Sequence, residues 1–346
     1  MAQKIKVLIV DDSAVIREVF TELLSSDPSI IVIGTATDPY DAREKIKKLL
    51  PDVITLDIEM PHMDGISFLE KIMMLRPMPV IMASTLTQKG AEATIRALEL
   101  GAVDYISKPV HEQSPETLAK LKSELIVKVK IAASAKIQSR TVTAPTNILP
   151  FTPNLKSSQK IIAIGSSTGG VEALRELLVR IPANCPPIII TQHMPEHFTE
   201  SFAKRLNTLC QPTVQEITNN QQIFPGNIYI APGGLQFELV RSSSKLICKL
   251  YHGETVSGHC PSVDVMFGSV ASIMKDKAIG VILTGMGKDG ANGLLQMRQA
   301  GAYTIGQNEE TCIVYGMPKV AKQLGAVIIE KPLSQIAEEI LKQCTK

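Results

Sequence analysis

Short apolar runs alternate along the chain with longer stretches whose apolar positions recur every three or four residues. In the first 130 residues the runs Lys4–Val10, Ile30–Thr35, Val53–Leu56, Pro79–Ala83 and Val103–Ile106 predict strands. Between them, 39–49, 65–75 and 90–100 predict helices, as does Ser13–Ser25, where Val15, Val19 and Leu23 give the expected buried face. The stretch from Ser114 to about Lys136 predicts a fifth helix running into whatever follows. Five strands alternating with helices predict an α/β fold whose parallel sheet is covered on both faces.

The same alternation returns after residue 160. Strands are expected at Lys160–Ile164, Pro187–Gln192, Asn227–Ala231, Ala278–Leu283, Ala302–Ile305 and Ala326–Ile329. Helices are expected at 170–180, 197–209, 263–275, 290–300, 316–324 and 333–343, and a hairpin joins Leu235–Val240 to Lys245–Tyr251 around Ser242–Ser244. The segment 131–159 breaks the pattern. It carries Lys136, Arg140 and Lys156 but no acidic residue, is rich in Ser, Thr and Ala, and holds the helix breakers Pro145, Pro150 and Pro153. This composition predicts an exposed linker. The expected organisation is a first domain over 1–125, a helix and linker over 126–159, and a second domain over 160–346.

Composition narrows the classes. Of 346 residues, 45% are hydrophobic and 20% charged, which excludes a mostly disordered or collagenous chain. With 36 basic and 34 acidic residues the net charge is +2, and aromatics make up 4% with no Trp, so a nucleic-acid partner is not expected. The first 130 residues carry net −3 and residues 160–346 net +2, a difference too small for more than weak, salt-screened attraction. The six cysteines, Cys185, Cys210, Cys248, Cys260, Cys312 and Cys344, form no C-x-x-C pair. Neither a signal sequence nor an 18-residue apolar run is present, so a cytoplasmic protein without membrane insertion is expected.

In the first domain, polar residues gather at the carboxyl ends of the expected strands, where open α/β sheets bind ligands. Asp11 and Asp12 follow the first strand, Asp57 the third, Ser84 the fourth, and Lys108-Pro109 the fifth. Clustered carboxylates repel unless a cation neutralises them, and oxygen ligands suit Mg²⁺, which also takes phosphate oxygens. Each Asp alone reads as readily as a helix cap. Together, Val10-Asp11-Asp12, Leu56-Asp57-Ile58-Glu59-Met60-Pro61 and Lys108-Pro109 resemble the signature of response-regulator receiver domains over about residues 4–125. The resemblance implies a flavodoxin-like five-stranded parallel sheet with Asp57 as phosphoacceptor. It further implies Mg²⁺ held by Asp11, Asp12, Asp57 and the backbone of Glu59, a switch pair of Ser84 and Tyr105, and contact of Lys108 with the phosphate. A receiver senses; its output then lies beyond the linker.

In the second domain, Gly165-Ser166-Ser167-Thr168-Gly169-Gly170 joins a strand to a helix. Neither G-x-G-x-x-G nor G-x-x-x-x-G-K-[ST] matches, and a helix-capping serine and a nucleophilic one fit equally. After the next strand comes Gln192-His193-Met194-Pro195-Glu196-His197, in which Pro195 argues against a zinc helix and His193 is the better general base. Leu283-Thr284-Gly285-Met286-Gly287-Lys288-Asp289-Gly290 offers glycine-flanked amides and an aspartate able to orient an imidazole or to cap the next helix. In His259-Cys260-Pro261-Ser262-Val263-Asp264, Ser262 reads as an N-cap and His259 as structural. Serine, histidine and aspartate thus each follow a strand, the residue types of a proton-relaying triad.

Taken together, these four segments resemble the catalytic domain of the CheB family of chemotaxis methylesterases over roughly 160–346, a second, Rossmann-like α/β domain. The resemblance implies Ser167 as nucleophile, His193 as base, Asp289 as third member and the Met286 amide as oxyanion donor, with no cofactor for the ester chemistry. It implies hydrolysis of glutamate methyl esters on methyl-accepting chemoreceptors, deamidation of receptor glutamines, and a chemotaxis histidine kinase as phosphodonor. Two positions depart from the family: Cys260 stands where arginine is usual, and Ser166, where alanine is common, adds a second hydroxyl beside Ser167. A binding-only output, a DNA-binding output and a free-standing small-ester hydrolase are the rival readings. The first is separated by methanol release, the second conflicts with the strand–helix alternation, and the third leaves the receiver unexplained.

Overall fold

A computed structural model describes residues 4–85, 87–109, 114–135, 137 and 159–345. The chain divides into two compact units, Met1–Val142 and Thr143–Lys346. Most of the expected linker, 138–158, lies outside the described residues.

The first unit runs β1 (Ile5–Val10), α1 (Ala14–Ser25), β2 (Ile30–Ala36), α2 (Pro39–Leu49), β3 (Val53–Asp57), α3 (Gly65–Leu75), β4 (Val80–Ser84), α4 (Gln88–Glu99), β5 (Asp104–Ser107) and α5 (Pro115–Ser134). The strands form one parallel sheet in the order β2-β1-β3-β4-β5. β1, β3 and β4 are almost wholly buried, as a parallel sheet covered on both faces requires. Polar caps set the helix starts: Ser13, Asp38, Asp64, Thr87 and Ser114 each accept a backbone N–H of the first turn. On α1 the buried face is Ile16, Phe20, Leu23 and Leu24, while Val15 is exposed. The expected set of Val15, Val19 and Leu23 is therefore about one position out of phase, since the row through Phe20 and Leu24 buries more apolar surface. Helix α5 buries Leu121, Leu125, Val129 and Ala132, and Lys130 pairs with Asp27, so it packs within this unit down to its last turn.

The second unit continues with β6 (Ile161–Ser166), α6 (Gly170–Leu178), β7 (Ile188–Gln192), α7 (Phe198–Asn207), β8 (Thr213–Glu216), β9 (Gln221–Gln222), β10 (Asn227–Ile230), β11 (Gln236–Ser242), β12 (Lys245–Tyr251), α8 (Val263–Met274), β13 (Ala278–Ile282), α9 (Ala291–Gln299), β14 (Tyr303–Gln307), α10 (Met317–Gln323), β15 (Ile329–Lys331) and α11 (Leu333–Cys344). Seven parallel strands form the order β15-β14-β13-β6-β7-β10-β8, and β11-β12-β9 form a small antiparallel sheet. Its core joins Tyr229, Phe237, Met266, Phe267, Ile282 and Leu294 from strands and helices. The strand expected at Ala326–Ile329 forms three residues later, because pairing with Ile305–Gln307 of β14 fixes it. In both sheets the chain reverses its winding beside the first strand, opening a crevice at carboxyl ends between β1 and β3 and between β6 and β13.

Candidate functional site

The first crevice collects Asp11, Asp12 and Asp57, one ligand oxygen of each lying within 4.8 Å of the others. Lys108 Nζ sits 2.8 Å from Asp11 Oδ2 and 2.7 Å from Asp57 Oδ1. The Glu59 amide also donates to Asp57 Oδ1, at 3.2 Å, but Asp57 Oδ2 is buried without a hydrogen-bond partner. Burial, reinforced by the Asp11 charge, pushes the Asp57 carboxyl up to about 6 against the pull of Lys108. Burial alone would lower the Lys108 ammonium; its two carboxylate partners raise it instead. Three hard oxygen donors with one oxygen left unsatisfied fit Mg²⁺, which neutralises such clusters and keeps positions open for phosphate oxygens. Ser84, buried at the end of β4, receives the Thr94 hydroxyl at 2.8 Å. Tyr105 is buried on the adjacent β5, with the Lys128 ammonium 4.6 Å from its ring centroid, and burial raises its phenol far above the usual range.

In the second crevice, parallel pairing brings β6, β7 and β13 side by side, with Ser166 opposite Gln192 and Gly165 opposite Ile282. Ser167 and His193 therefore leave adjacent strand ends, and the His193 amide donates to the Ser166 carbonyl. His193 Nε2 lies 2.8 Å from Asp289 Oδ2. With that nitrogen protonated toward the carboxylate, the neutral ring carries its lone pair on Nδ1, which is buried and has no partner. The Ser167 hydroxyl is thus not bonded to Nδ1 in this structure; such contacts are often open before substrate arrives.

Asp289 is 1% exposed and saturated. Its Oδ1 accepts from Ser262 Oγ at 2.7 Å, the Gly290 amide at 3.0 Å and the Asp264 amide at 3.1 Å; its Oδ2 accepts from the Val263 amide at 2.8 Å as well as from His193. Burial works against its ionised form, but these donors, His193 first among them, hold the carboxyl below its ordinary value.

The loops are tied in as well. Ser167 N–H donates to Thr284 O, so that amide is committed and is no oxyanion donor. Among the described residues the Met286 amide donates to no backbone carbonyl, and Met286 is exposed. A Cβ on Gly285 would stand 2.7 Å from Ser167 Cβ, so only glycine lets the Met286 loop approach the serine this closely. Gly169, at φ +76°, makes the turn into α6, whose N-terminus faces the crevice end of β6.

Two glutamines had escaped sequence reasoning. The Gln192 side chain receives the Ser166 hydroxyl at 2.6 Å and donates to the carbonyls of Ser167 and His193. Ser166 is fully buried, with its hydroxyl taken up by Gln192. Gln236 accepts from the Ser262 amide and donates to the carbonyls of Glu254 and His259. His259 stacks on His193, ring centroids 3.5 Å apart and 8° from parallel. A glutamine ending an apolar strand was a signal for Gln192; Gln236 gave none. His197, at φ +60°, is exposed and starts α7, and no metal cluster other than the Asp11 group occurs among the described residues. All six cysteines are free, and among the described residues no helix is long and apolar enough to cross a membrane.

An acidic phosphoryl-type crevice in a five-stranded parallel unit, followed by a larger α/β unit, defines a response regulator with an output domain. Residues 7–120 match the response regulator receiver domain and residues 162–340 the CheB methylesterase domain. The chain is 56% identical over 342 residues to a protein-glutamate methylesterase/protein-glutamine glutaminase of Rhizobium johnstonii, covering 99% of this chain and 97% of that one. It is 55% identical over 340 residues to one of Caulobacter vibrioides, covering 98% and 97%. The CheB methylesterase catalytic domain of Thermotoga maritima superposes with a TM-score of 0.52 at 38% identity, covering 53% of this chain and 97% of that one. The chain belongs to the CheB family of protein-glutamate methylesterases.

Proposed function

We propose that the protein removes methyl groups from glutamate γ-esters of methyl-accepting chemoreceptors in the cytoplasm and deamidates receptor glutamines, under control of phosphorylation at Asp57. The carrying observation is the His193 Nε2–Asp289 Oδ2 bond, which leaves Nδ1 buried and free beside the Ser167 strand end. Ser167 Oγ attacks the ester carbonyl carbon while His193 Nδ1 takes its proton. Asp289 steadies the imidazolium. The Met286 amide donates to the tetrahedral oxyanion, a contribution of about 3–4 kcal/mol at the transition state. His193 returns the proton to the departing methoxide, and methanol leaves. Water then cleaves the acyl-serine by the same proton path; from glutamine the leaving group is ammonia. This ester chemistry is assigned to side chains and backbone alone.

In the receiver, Asp11, Asp12, Asp57 and the backbone at Glu59 would hold Mg²⁺, which when bound neutralises the cluster and a phosphoryl group. The free Asp57 Oδ2 takes the phosphoryl group from a chemotaxis histidine kinase, Lys108 moves onto a phosphoryl oxygen, and Ser84 with Tyr105 reports the change. A coupling of about 1–3 kcal/mol would give roughly 5–150-fold control of the esterase.

Methanol release from methylated receptors tests the nucleophile. Ser167→Ala is expected to lose at least about 10³-fold in kcat, while Ser166→Ala stays within about tenfold of wild type. The reverse ranking would remove Ser167 from the mechanism.

A further inference from the structure

Ser262 caps α8, yet its hydroxyl is spent elsewhere. The cap contact to the Val265 amide is long, at 3.5 Å, while the bond to Asp289 Oδ1 is 2.7 Å. The residue is wholly buried, and its own amide is held by the Gln236 side chain at 2.9 Å. Besides His193, its hydroxyl is a side-chain donor to Asp289; the amides of Val263, Asp264 and Gly290 donate as well. Asp289 needs such donors. Its carboxyl is almost wholly buried, and the Asp264 carboxyl on the first turn of α8 repels it, as the raised Asp264 carboxyl reflects: burial is its first cause and the Asp289 charge contributes.

We propose that Ser262 is a positioning residue for the hydrolytic site, its hydroxyl fixing Asp289 and, through it, the ring of His193 so that Nδ1 is presented to the nucleophile. This rests on the Ser167–His193–Asp289 reading. Backbone amides hold Asp289 near α8 and α9, but each is fixed by its helix start. The Val263 amide on Oδ2 and the Asp264 and Gly290 amides on Oδ1 restrict the rotation of the carboxylate about its Cβ–Cγ bond; the hydroxyl makes the shortest of the three bonds to Oδ1 and so tightens the rotation that aims Oδ2 at the imidazole. The titratable groups in contact with the pair are His259, stacked on His193, and Asp264 on α8, with Cys260 and Lys288 next in the chain to His259 and Asp289. With the hydroxyl gone, the less stabilised carboxylate draws the proton of the His–Asp pair more strongly, so the acid limb of activity moves to higher pH.

The test uses the full-length chain and methylated receptors. Ser262→Ala is expected to lower kcat about tenfold with KM little changed and to shift the acid limb of the pH–rate profile upward. It should also move the low-field proton NMR signal of the His193 Nε2–H. Ser262→Thr, which restores a hydroxyl, should recover kcat to within about threefold. If Ser262→Ala does not fold, Ser262→Cys keeps the shape with a weaker donor and is expected to show the same changes. Wild-type kcat and pH profile in a folded Ala or Cys variant would overturn the proposal, as would a folded Thr variant as impaired as Ala. Ser167→Ala run in parallel separates the two failures: full activity there sinks the triad itself, whereas its inactivity beside a wild-type-like Ser262 variant sinks only the positioning role.

Discussion

Asp57 and Asp289 are equally hidden, at 2% and 1% exposure, yet the fold treats them in opposite ways. Asp57 has two donors on one oxygen and none on the other, and its carboxyl is pushed up to about 6. Asp289 has five donors over both oxygens and is held below its ordinary value. Burial opposes ionisation in both; the hydrogen-bond donors, together with the neighbouring charge, Asp11 beside Asp57 and His193 beside Asp289, decide the sign. A carboxylate left short of partners has an oxygen to give to a phosphoryl group or a cation. A saturated one can only orient its neighbour.

The largest test of this contrast is Asp289→Asn. The amide keeps the shape but presents a donor where an acceptor is needed, forcing the wrong His193 tautomer. Receptor methanol release is expected to fall about 10³–10⁴-fold without loss of folding. Activity within tenfold of wild type would mean that the saturated carboxylate is not the orienter.

Next in size is Asp57→Asn. It should abolish labelling by a phosphodonor and the roughly 5–150-fold activation that labelling brings, while basal esterase activity persists. Phosphoryl incorporation into the variant would move the acceptor elsewhere in the cluster.

The smallest effect is on stability. A carboxyl whose pKa rises on folding binds its proton more tightly in the native state. Native stability therefore increases as pH falls from above 6 toward the unfolded value near 3.8. In Mg²⁺-free urea denaturation, the receiver transition should gain about 1–2 kcal/mol between pH 7.5 and 5 from this group. Adding Mg²⁺ or introducing Asp57→Asn should flatten that dependence. Asp289, with its lowered carboxyl, contributes stability that is present above its unfolded pKa and is lost only below about 3.8, so its own carboxyl adds no slope from pH 5 to 7.5. A slope that survives Asp57→Asn would place the shifted group elsewhere.

Most of the two sheets was legible because buried parallel strands are continuous apolar runs with polar residues at their carboxyl ends. That is where Asp11, Asp57, Lys108, Ser167 and His193 stand in the chain and in the fold. The α1 face was misread by a small rotation because Val15 and Ile16 are both apolar neighbours and only the sheet beneath chooses between them. Strands β8 and β9 were missed because Thr213–Glu216 buries only Val214, and Gln221–Gln222 is too short to alternate; both exist through pairing with neighbours.

Local sequence determined which residues end strands, cap helices and turn with glycine, since backbone preference and apolar periodicity act over a few neighbouring positions. It could not determine which of two adjacent serines is available. Ser166 is closed off by Gln192, a residue 26 positions away. Nor could it set the opposite states of Asp57 and Asp289. Those depend on donors delivered from other strands and helices, Lys108 in one case and Ser262 with the start of α8 in the other, and hydrogen-bond geometry exists only once the chain has folded.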